Sequence, residues 1–404
     1  MGGKKKFGIY LHIPYCRRKC LYCDFYSGGM SGADWPRFVN AMLRECEERK
    51  GEMKGMTPHT LYIGGGTPSL LPSVEFRRLV GGIAEIFGFD PSGLREFTVE
   101  VNPEDVTPEM CSVWRDAGVN RVSMGVQSFI EGELRLSGRR HSTTQAEEAY
   151  RIIRDYFDNI SLDLIFGLPG QTLESLGKSL DRMVGLHPEH VSVYSLMLEE
   201  GTAMTELCRT GRLKTADDEL SLRMFEAVTA ALEKGGYRQY EISNYSQPGF
   251  ESIHNSSYWR GLPYLGLGPS AHSYDGDRIR RANPADLKGW LIRFGGGNAE
   301  PDKSALSDSD TLHNNIDNTP YYIEERLTET ELLEEMILTR MRTREGLDLN
   351  EVHDRFGERA AAHLVVNALN PVTDGRLTID NEHLCLTRRG IMSADDVILT
   401  LAMD

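Results

Sequence analysis

The sequence predicts an α/β protein: an open (β/α)6 barrel, or partial TIM barrel, followed by a small C-terminal winged-helix-like domain. Strand-like runs rich in Val, Ile, Leu or Tyr alternate six times with helical patterns. This alternation favours a parallel sheet with right-handed crossovers. The predicted strands span residues 7–14, 60–63, 96–101, 121–126, 160–166 and 190–196.

The chain divides into three predicted parts. Residues 1–294 form the barrel domain, because all the strand–helix repeats fall within them. Residues 295–320 are polar and lack an apolar period, which is typical of a linker or an inserted loop. Residues 321–404 form the small C-terminal domain, in which helical patterns precede a hairpin-like run.

Local signals support the C-terminal prediction. Thr328 and Glu331 form a capping box before an apolar stripe, which indicates a helix start. Further helices are predicted over about 349–356 and 358–369, and a hairpin over 377–387. The pattern is that of a winged helix, a fold that often binds DNA, but the charge of this domain argues against that function.

Composition and charge exclude several classes of protein. The 404 residues include 45 Lys or Arg and 60 Asp or Glu, a formal charge of −15, and residues 321–404 alone carry nine Arg, no Lys and 17 Asp or Glu. Such a surface repels phosphate backbones, so nucleic acid is not the expected partner. No apolar run is long enough to span a membrane, and no secretory signal is recognised. We therefore expect a cytoplasmic enzyme or carrier.

Three of the seven cysteines are crowded together with the spacing C-x3-C-x2-C: Cys16, Cys20 and Cys23. Thiolates this close must share a positive charge, from a metal or a cluster. Structural zinc usually has four protein ligands, whereas three thiolates on a [4Fe–4S] cluster leave one iron open to a small molecule. The cluster is the favoured interpretation, and zinc and a redox thiol stay open. The other cysteines fit core packing.

Several polar or small residues follow the predicted strands. In parallel barrels chemistry gathers at the carboxyl ends of the strands, and the cysteine loop, the run 64–66 of three glycines, Glu100, Gln127 and Asp163 all lie at or near such ends. The glycines fit either close approach to a ligand or a tight turn. Glu100 ends an apolar strand, where it fits either hydroxyl recognition or a buried ion pair.

Longer stretches resemble a known family. The segments YLHIPYC at 10–16, GGGTPS at 64–69, DLIFGLPGQT at 163–172 and YEISNY at 240–245 resemble the radical S-adenosylmethionine (SAM) superfamily and, within it, the oxygen-independent coproporphyrinogen III oxidase family. The similarity is close over about 7–290. It implies that Cys16, Cys20 and Cys23 hold a [4Fe–4S] cluster whose open iron chelates SAM, and that electron transfer from the reduced cluster cleaves SAM to methionine and a 5′-deoxyadenosyl radical.

The resemblance also implies residues that surround SAM. The glycine loop would contact its amino group, and Glu100 would accept hydrogen bonds from its ribose hydroxyls. Arg139 matches a family position, although Arg140 is adjacent to it. The complete implied set is Tyr10, Tyr22, Gly65, Gly66, Thr67, Glu100, Gln127, Arg139 and Asp163.

Two departures separate this chain from the oxidases. Phe25 stands where they carry a fourth cysteine, and only nine residues precede Tyr10. In contrast, HNSSYW at 254–259 is similar to the H-N-x-x-Y-W motif of the related HemW-type heme chaperones. That similarity implies heme as a ligand and His254 as its axial ligand, although a buried structural histidine also fits. The chaperone is the preferred interpretation, and the oxidase is the alternative.

The resemblance sets further expectations about partners. Besides the cluster, SAM and heme, we expect a reductant such as flavodoxin or ferredoxin, because the cluster must be reduced. Hemoproteins of the respiratory chain would receive the heme. A homodimer is compatible with the sequence, no residue is singled out as catalytic, and enzymatic activity is left open.

Overall fold

The computed structural model describes residues 5–30, 33–296 and 320–402. The strands are β1 (Lys6–Ile13), β2 (Tyr15–Cys16), β3 (Gly28–Gly29), β4 (Thr57–Gly65), β5 (Glu96–Val101), β6 (Arg121–Gln127), β7 (Ile160–Phe166), β8 (His190–Ser195), β9 (Arg238–Gln239), β10 (Asn244–Ser246), β11 (Tyr264–Leu267), β12 (His272–Tyr274), β13 (Ile279–Ala282), β14 (Ile323–Arg326), β15 (Leu347–Asp348), β16 (Leu377–Asp380) and β17 (His383–Leu386).

The α-helices alternate with the strands in the barrel and cluster after it. They are α1 (Trp35–Arg49), α2 (Ser73–Phe87), α3 (Pro108–Asp116), α4 (Glu131–Leu136), α5 (Thr143–Arg154), α6 (Leu173–Leu186), α7 (Ala203–Arg209), α8 (Asp218–Lys234), α9 (Ile253–Trp259), α10 (Leu287–Phe294), α11 (Glu329–Met341), α12 (Leu349–Phe356), α13 (Glu358–Thr373), α14 (Arg388–Ile391) and α15 (Ala394–Leu401). None of these helices is both long and apolar enough to cross a membrane.

The predicted barrel strands form one parallel sheet in the order β1-β4-β5-β6-β7-β8. Their interior positions are almost wholly apolar, which is why each segment was recognisable, and helices such as α1 bury an apolar face against them. α1 begins at the cap Asp34 with Pro36 in its first turn, and Phe38 and Met42 on its inner face are fully buried. The predicted fold class is confirmed.

The sheet is larger than the sequence predicts. β11 pairs in parallel with β1, and β12, β13 and β14 extend that edge antiparallel. At the other edge β10 pairs antiparallel with β8, and β9 pairs antiparallel with β10. β14, which belongs to the predicted C-terminal part, thus completes the barrel sheet, and the boundaries 1–294, 295–320 and 321–404 stay a prediction. The predicted linker falls mostly on 297–319, outside the described residues.

The C-terminal residues build a second, smaller core. Helices α11, α12, α13 and α15 pack around a three-stranded sheet in the order β15-β17-β16. The predicted capping box is present, with the Glu331 amide donating to Thr328 Oγ1 at 3.3 Å and the Thr328 amide donating to Glu331 Oε2 at 2.7 Å. The predicted hairpin corresponds to β16 and β17, so the winged-helix-like pattern is confirmed.

Candidate functional site

The cysteine loop lies at the carboxyl end of β1. Cys16 ends the short strand β2, which pairs with β3, and the Gly28 amide donates to Pro14 O at 2.7 Å. These contacts close the loop that carries Cys20 and Cys23. All three thiols are free and half-buried, so they lie at the surface of the barrel mouth rather than in the core.

The surroundings of Cys23 disfavour its ionised thiolate form. Burial and the neighbouring thiols of Cys20 and Cys16 raise the pKa of Cys23 to about 11. Two donors face the sulfurs: Thr67 Oγ1 lies 3.4 Å from Cys16 Sγ, and Arg139 Nη1 lies 3.6 Å from Cys20 Sγ. Three thiolates here therefore need a further positive charge.

A single metal ion fits this loop poorly. Within the described ranges, no three His, Cys, Asp or Glu side chains converge closely enough to hold one ion. A zinc ion draws its sulfur ligands to about 2.3 Å from one centre, whereas in an iron–sulfur cluster each cysteine binds a different iron. The described residues therefore offer no ligand set for a single zinc ion, which leaves the cluster as the favoured interpretation.

The glycine loop packs directly on the cysteine loop. Gly65 has φ +109°, a conformation that L side chains rarely adopt. A Cβ on Gly66 would lie 2.7 Å from Tyr15 O and 3.0 Å from Cys16 Sγ. A Cβ on Gly64 would lie 3.0 Å from the Glu100 carboxyl. The glycines are thus required for close approach of the β4 end to the cysteine loop and to Glu100.

Glu100 lies at the barrel mouth beside this loop. Its carboxylate accepts hydrogen bonds from Tyr62 Oη at 2.7 Å and from the Gly65 amide at 3.1 Å. Among the described residues it forms no ion pair, so the ion-pair interpretation is not supported. Burial, with a contribution from the charge of Asp163, raises the pKa of Glu100 to about 7. The carboxyl group can therefore gain or lose a proton near neutral pH.

Gln127 ends β6 in an unusual conformation. Its φ is +69°, in the left-handed region that non-glycine residues rarely occupy, and the pairing of β6 with β7 is irregular here. Its Oε1 is buried without a hydrogen-bond partner among the described residues. Backbone strain combined with an unpaired buried acceptor is typical of a ligand site.

The adjacent arginines have different surroundings. Arg139 donates through Nη2 to Asn102 Oδ1 at 2.7 Å and to Gly125 O at 2.6 Å, and it reaches Cys20. Arg140 is exposed. Of the two, only Arg139 points into the mouth, beside the cysteine loop.

The remaining predicted residues line the same end of the barrel. Asp163 Oδ1 accepts from Ser123 Oγ and Ser161 Oγ, each at 3.4 Å, and burial raises its pKa. Tyr10 lies opposite Tyr62 on β4, and burial together with the Glu100 charge raises its pKa. Tyr22 lies in the cysteine loop close to Cys20 and Arg139, where burial raises its pKa.

His254 lies at the opposite end of the barrel. It lies beside Thr60 of β4. Thr60 pairs with Gly8 near the start of β1 and with Glu96 at the start of β5. The ring is 1% exposed and stacks on Tyr62. Its Nδ1 is 2.7 Å from Thr60 Oγ1 and its Nε2 is 2.7 Å from Tyr258 Oη. Burial and the charge of Arg121 lower the pKa of His254 to about 3, so the ring is neutral.

A cavity of about 310 Å³ lies beside the rest of the HNSSYW segment. Its walls come from α9, from the β11–β13 edge of the sheet and from α11. Trp259 Nε1 and Arg280 Nε are buried at this junction without hydrogen-bond partners among the described residues. Aromatic, apolar and guanidinium groups line it together, including Tyr258, Trp259, Tyr264, Arg280, Met336 and Arg355.

Sequence reasoning missed several polar residues of the barrel. Asn102 contacts both Arg139 and Thr67 Oγ1, and it could have been found because it follows Glu100 at the same strand end. His12, which bonds Tyr10 Oη at 3.0 Å, lies under Gly65. Arg121 and Glu96 are buried inside the barrel, and no motif in the sequence marks them.

The sequence of this chain matches known protein families and named relatives. Residues 10–183 match the radical SAM superfamily, and residues 327–393 match the HemN C-terminal domain. The chain is 36% identical over 399 residues to the protein named heme chaperone HemW of Mycobacterium tuberculosis, covering 98% of this chain and 94% of the relative. It is 38% identical over 283 residues to heme chaperone HemW of Bacillus subtilis, covering 70% and 74%.

A solved structure shares the whole fold. Coproporphyrinogen III oxidase (HemN) from Escherichia coli, described as a radical SAM enzyme, superposes with a TM-score of 0.79 at 21% identity, covering 99% of this chain and 90% of that one. At this identity the likeness speaks for the fold alone.

Proposed function

Since the chain belongs to the HemW family of the radical SAM superfamily, we propose that it is a heme chaperone that binds heme and delivers it to hemoproteins of the respiratory chain. The observation that carries the proposal is the 36% identity to a relative of that name over nearly the full length of both chains. For the oxidase alternative, the solved structure supports the fold alone.

We assign the cysteine loop to a [4Fe–4S] cluster held by Cys16, Cys20 and Cys23. Two features support the fit: Arg139 offers a positive charge at Cys20, and a side chain on Gly66 would obstruct the loop. SAM would lie in the adjoining mouth, where the buried Gln127 Oε1 lacks a partner among the described residues. The assignment to SAM covers Tyr10, Tyr22, Gly65, Gly66, Thr67, Glu100, Gln127, Arg139 and Asp163.

When bound, the cluster and SAM supply one-electron chemistry and a carbon-centred radical, which belong to the cofactors rather than to the protein. The chain contributes position and charge. Glu100 is oriented by Tyr62 and the Gly65 amide so that it can accept hydroxyl hydrogen bonds. The hydrogen bonds of Arg139 to Asn102 and Gly125 O fix its guanidinium beside Cys20.

For heme, we propose the cavity beside Trp259. Its aromatic walls offer flat apolar surface, and Arg280, which pairs with Glu335 Oε2 at 2.5 Å in the same cavity, would exchange that partner for a carboxylate such as a propionate. The volume of about 310 Å³ fits the edge of a macrocycle, not a fully enclosed one. Heme ligation by His254, which does not line this cavity, stays a prediction, and it would require Tyr258 to release Nε2.

The proposed function predicts heme binding without oxidase turnover. We expect the purified protein to take up one heme per chain, followed by absorption titration. With SAM and a reductant under anaerobic conditions, we expect no decarboxylation of coproporphyrinogen III, with an authentic oxidase as the positive control. Clear production of protoporphyrinogen would overturn the choice of chaperone.

The role of His254 is tested by comparing the heme absorption spectrum of His254→Ala with that of the parent. Identical spectra would exclude His254 as a heme ligand.

The raised pKa of Glu100 predicts that SAM affinity depends on pH. Hydrogen bonds from ribose hydroxyls stabilise the ionised carboxylate, so binding expels the proton that Glu100 carries below about pH 7. Affinity should therefore rise with pH, by up to about tenfold per pH unit, and level off above the pKa. Calorimetry on the cluster-loaded protein measures this. Glu100→Gln should bind more weakly with a flat profile, and Glu104→Gln should keep the slope; an unchanged slope in Glu100→Gln contradicts the assignment.

Several partner assignments complete the proposal. A one-electron donor such as flavodoxin or ferredoxin would reduce the cluster, because the cluster must be reduced before it can pass on an electron. Recipient hemoproteins, a cytoplasmic location and a homodimer follow from the family resemblance. Cross-linking of the heme-loaded protein, with the products identified by mass spectrometry, would test both the homodimer and the recipient hemoproteins.

A further inference from the structure

Three exposed basic residues surround the cysteine loop, and we call Arg18, Lys19 and Arg140 the basic rim. Within the described ranges, none of them forms an ion pair with a carboxylate. Their neighbour Arg17 differs, because it donates to Asp105 at 3.1 Å. In a chain with a net charge of −15, a cluster of unpaired cations is a marked local reversal of charge.

The basic rim lies directly over one of the three predicted cluster ligands. Arg18 and Arg140 line a shallow depression together with Cys20 and Arg139. Its volume is about 20 Å³, room for little more than a water molecule. It therefore cannot enclose an organic ligand, and a broad protein surface suits it better.

Two carboxylates near the rim, Asp105 and Glu104, are already engaged. Asp105 accepts from Arg17 and from Ser69 Oγ at 3.0 Å. Glu104 faces His141 and Arg139, which lower its pKa despite its burial. Asp24 is exposed on the same loop and offsets one charge. The face as a whole keeps an excess of positive charge.

We propose that the basic rim is the docking surface for a small acidic one-electron carrier protein, which reduces the cluster at its Cys20 corner. The inference rests on the proposed cluster. In the step, the reduced carrier loses one electron and the oxidised cluster gains it, and no bond forms or breaks. Complementary charge steers such encounters, and electron transfer requires the carrier close to Cys20, where the rim places it.

The experiment compares two triple variants of equal charge. The test variant is Arg18→Glu, Lys19→Glu and Arg140→Glu. The control is Arg326→Glu, Arg359→Glu and Arg389→Glu, three exposed arginines that form no ion pair among the described residues. Both are loaded with cluster, and the rate of cluster reduction by reduced flavodoxin is followed anaerobically by stopped-flow absorption. Dithionite, a small-molecule reductant, gives a parallel rate for each.

We expect the test variant to be reduced by flavodoxin about tenfold or more slowly than the parent, because steering of this kind changes association rates by about 10–10³. The control variant and all dithionite rates should stay near parental values. Added salt should slow the parent and the control, and it should speed the test variant, because it screens the repulsion between the reversed charges and the acidic carrier.

Other results would contradict either the docking surface or the cluster, and the experiment distinguishes between the two. Equal flavodoxin rates in the test variant and the parent would overturn the docking surface. A test variant that lowers heme affinity but not the flavodoxin rate would assign the rim to heme carboxylates instead, which also overturns it. If the parent itself carries no iron and gives no dithionite-dependent bleaching, the proposed cluster fails, and that failure is visible before the variants are compared.

Discussion

Replacing Cys16, Cys20 and Cys23 together with alanine is expected to abolish the brown colour and the bound iron of the anaerobically reconstituted protein. The three thiols would be the only protein ligands of the cluster, and burial together with the neighbouring thiols raises the pKa of Cys23, so its thiolate needs the positive charge that iron supplies. Because all three side chains are half-buried rather than in the core, the fold should survive. Iron and sulfide content, absorption and electron paramagnetic resonance measure the loss, and far-ultraviolet circular dichroism checks the fold.

The matched control uses two other half-buried free cysteines outside the cysteine loop, Cys208 on α7 and Cys385 on β17. Their double alanine variant should retain parental iron and colour. A four-iron spectrum in the triple variant would remove the cluster from this loop. Iron loss in both variants would point to a general effect on reconstitution, and the comparison would then contradict a specific role of the loop.

The barrel was predictable because its strands are nearly continuous apolar runs. Segments 160–166 and 96–101 match β7 and β5 residue for residue, and burial on both faces is what makes such runs distinct. β11 was missed, since four residues between Pro263 and Gly268 carry too little pattern. Its pairing with β1 depends on tertiary contacts, which no local pattern contains.

The positions of the site residues could be predicted from the sequence, but the contacts between their side chains could not. Glu100 could be placed at a strand end from its apolar neighbours, yet its partners Tyr62 and the Gly65 amide come from the adjacent strand and depend on register. The choice between Arg139 and Arg140 needed the fold, because only the turn after α4 determines which side chain faces Cys20. The strained φ of Gln127 has no sequence signal, since glutamine is not a residue that favours it.

His254 illustrates the limit of motif reasoning most clearly. The motif suggests a free imidazole, but Thr60, 194 residues away in the chain, occupies Nδ1. Tyr258, four residues away, lies on the same helical face and reaches Nε2. Only the second contact could have been anticipated from spacing. The first depends on α9 docking at the amino-terminal ends of β4 and β5.

Glu96 holds α9 in that position. Its carboxylate accepts from Ser252 Oγ at 3.1 Å and from the backbone amides of Ile253 at 2.6 Å and His254 at 3.3 Å. Glu96 is 2% exposed, and its charge acts on Arg121, which is 1% exposed and has two nitrogens, Nε and Nη1, without partners among the described residues. The Glu96 carboxylate thus accepts hydrogen bonds from the backbone amides at the start of α9. It also offsets the positive charge of the buried Arg121.

Glu96→Ala is expected to destabilise the protein by roughly 3–5 kcal/mol, the usual cost of leaving a buried partner charge uncompensated. Glu96→Gln keeps an acceptor but not the charge, so its loss should be smaller yet clear. Denaturant unfolding of the apo-protein measures both, with Glu174→Ala, an exposed carboxylate in a surface pair, expected to unfold as the parent does. Because the Tyr258–Trp259 wall moves with α9, heme affinity should fall in the order parent, Gln, Ala. Parental stability in Glu96→Ala would mean that Arg121 is satisfied by other groups and that α9 docks through its apolar contacts alone.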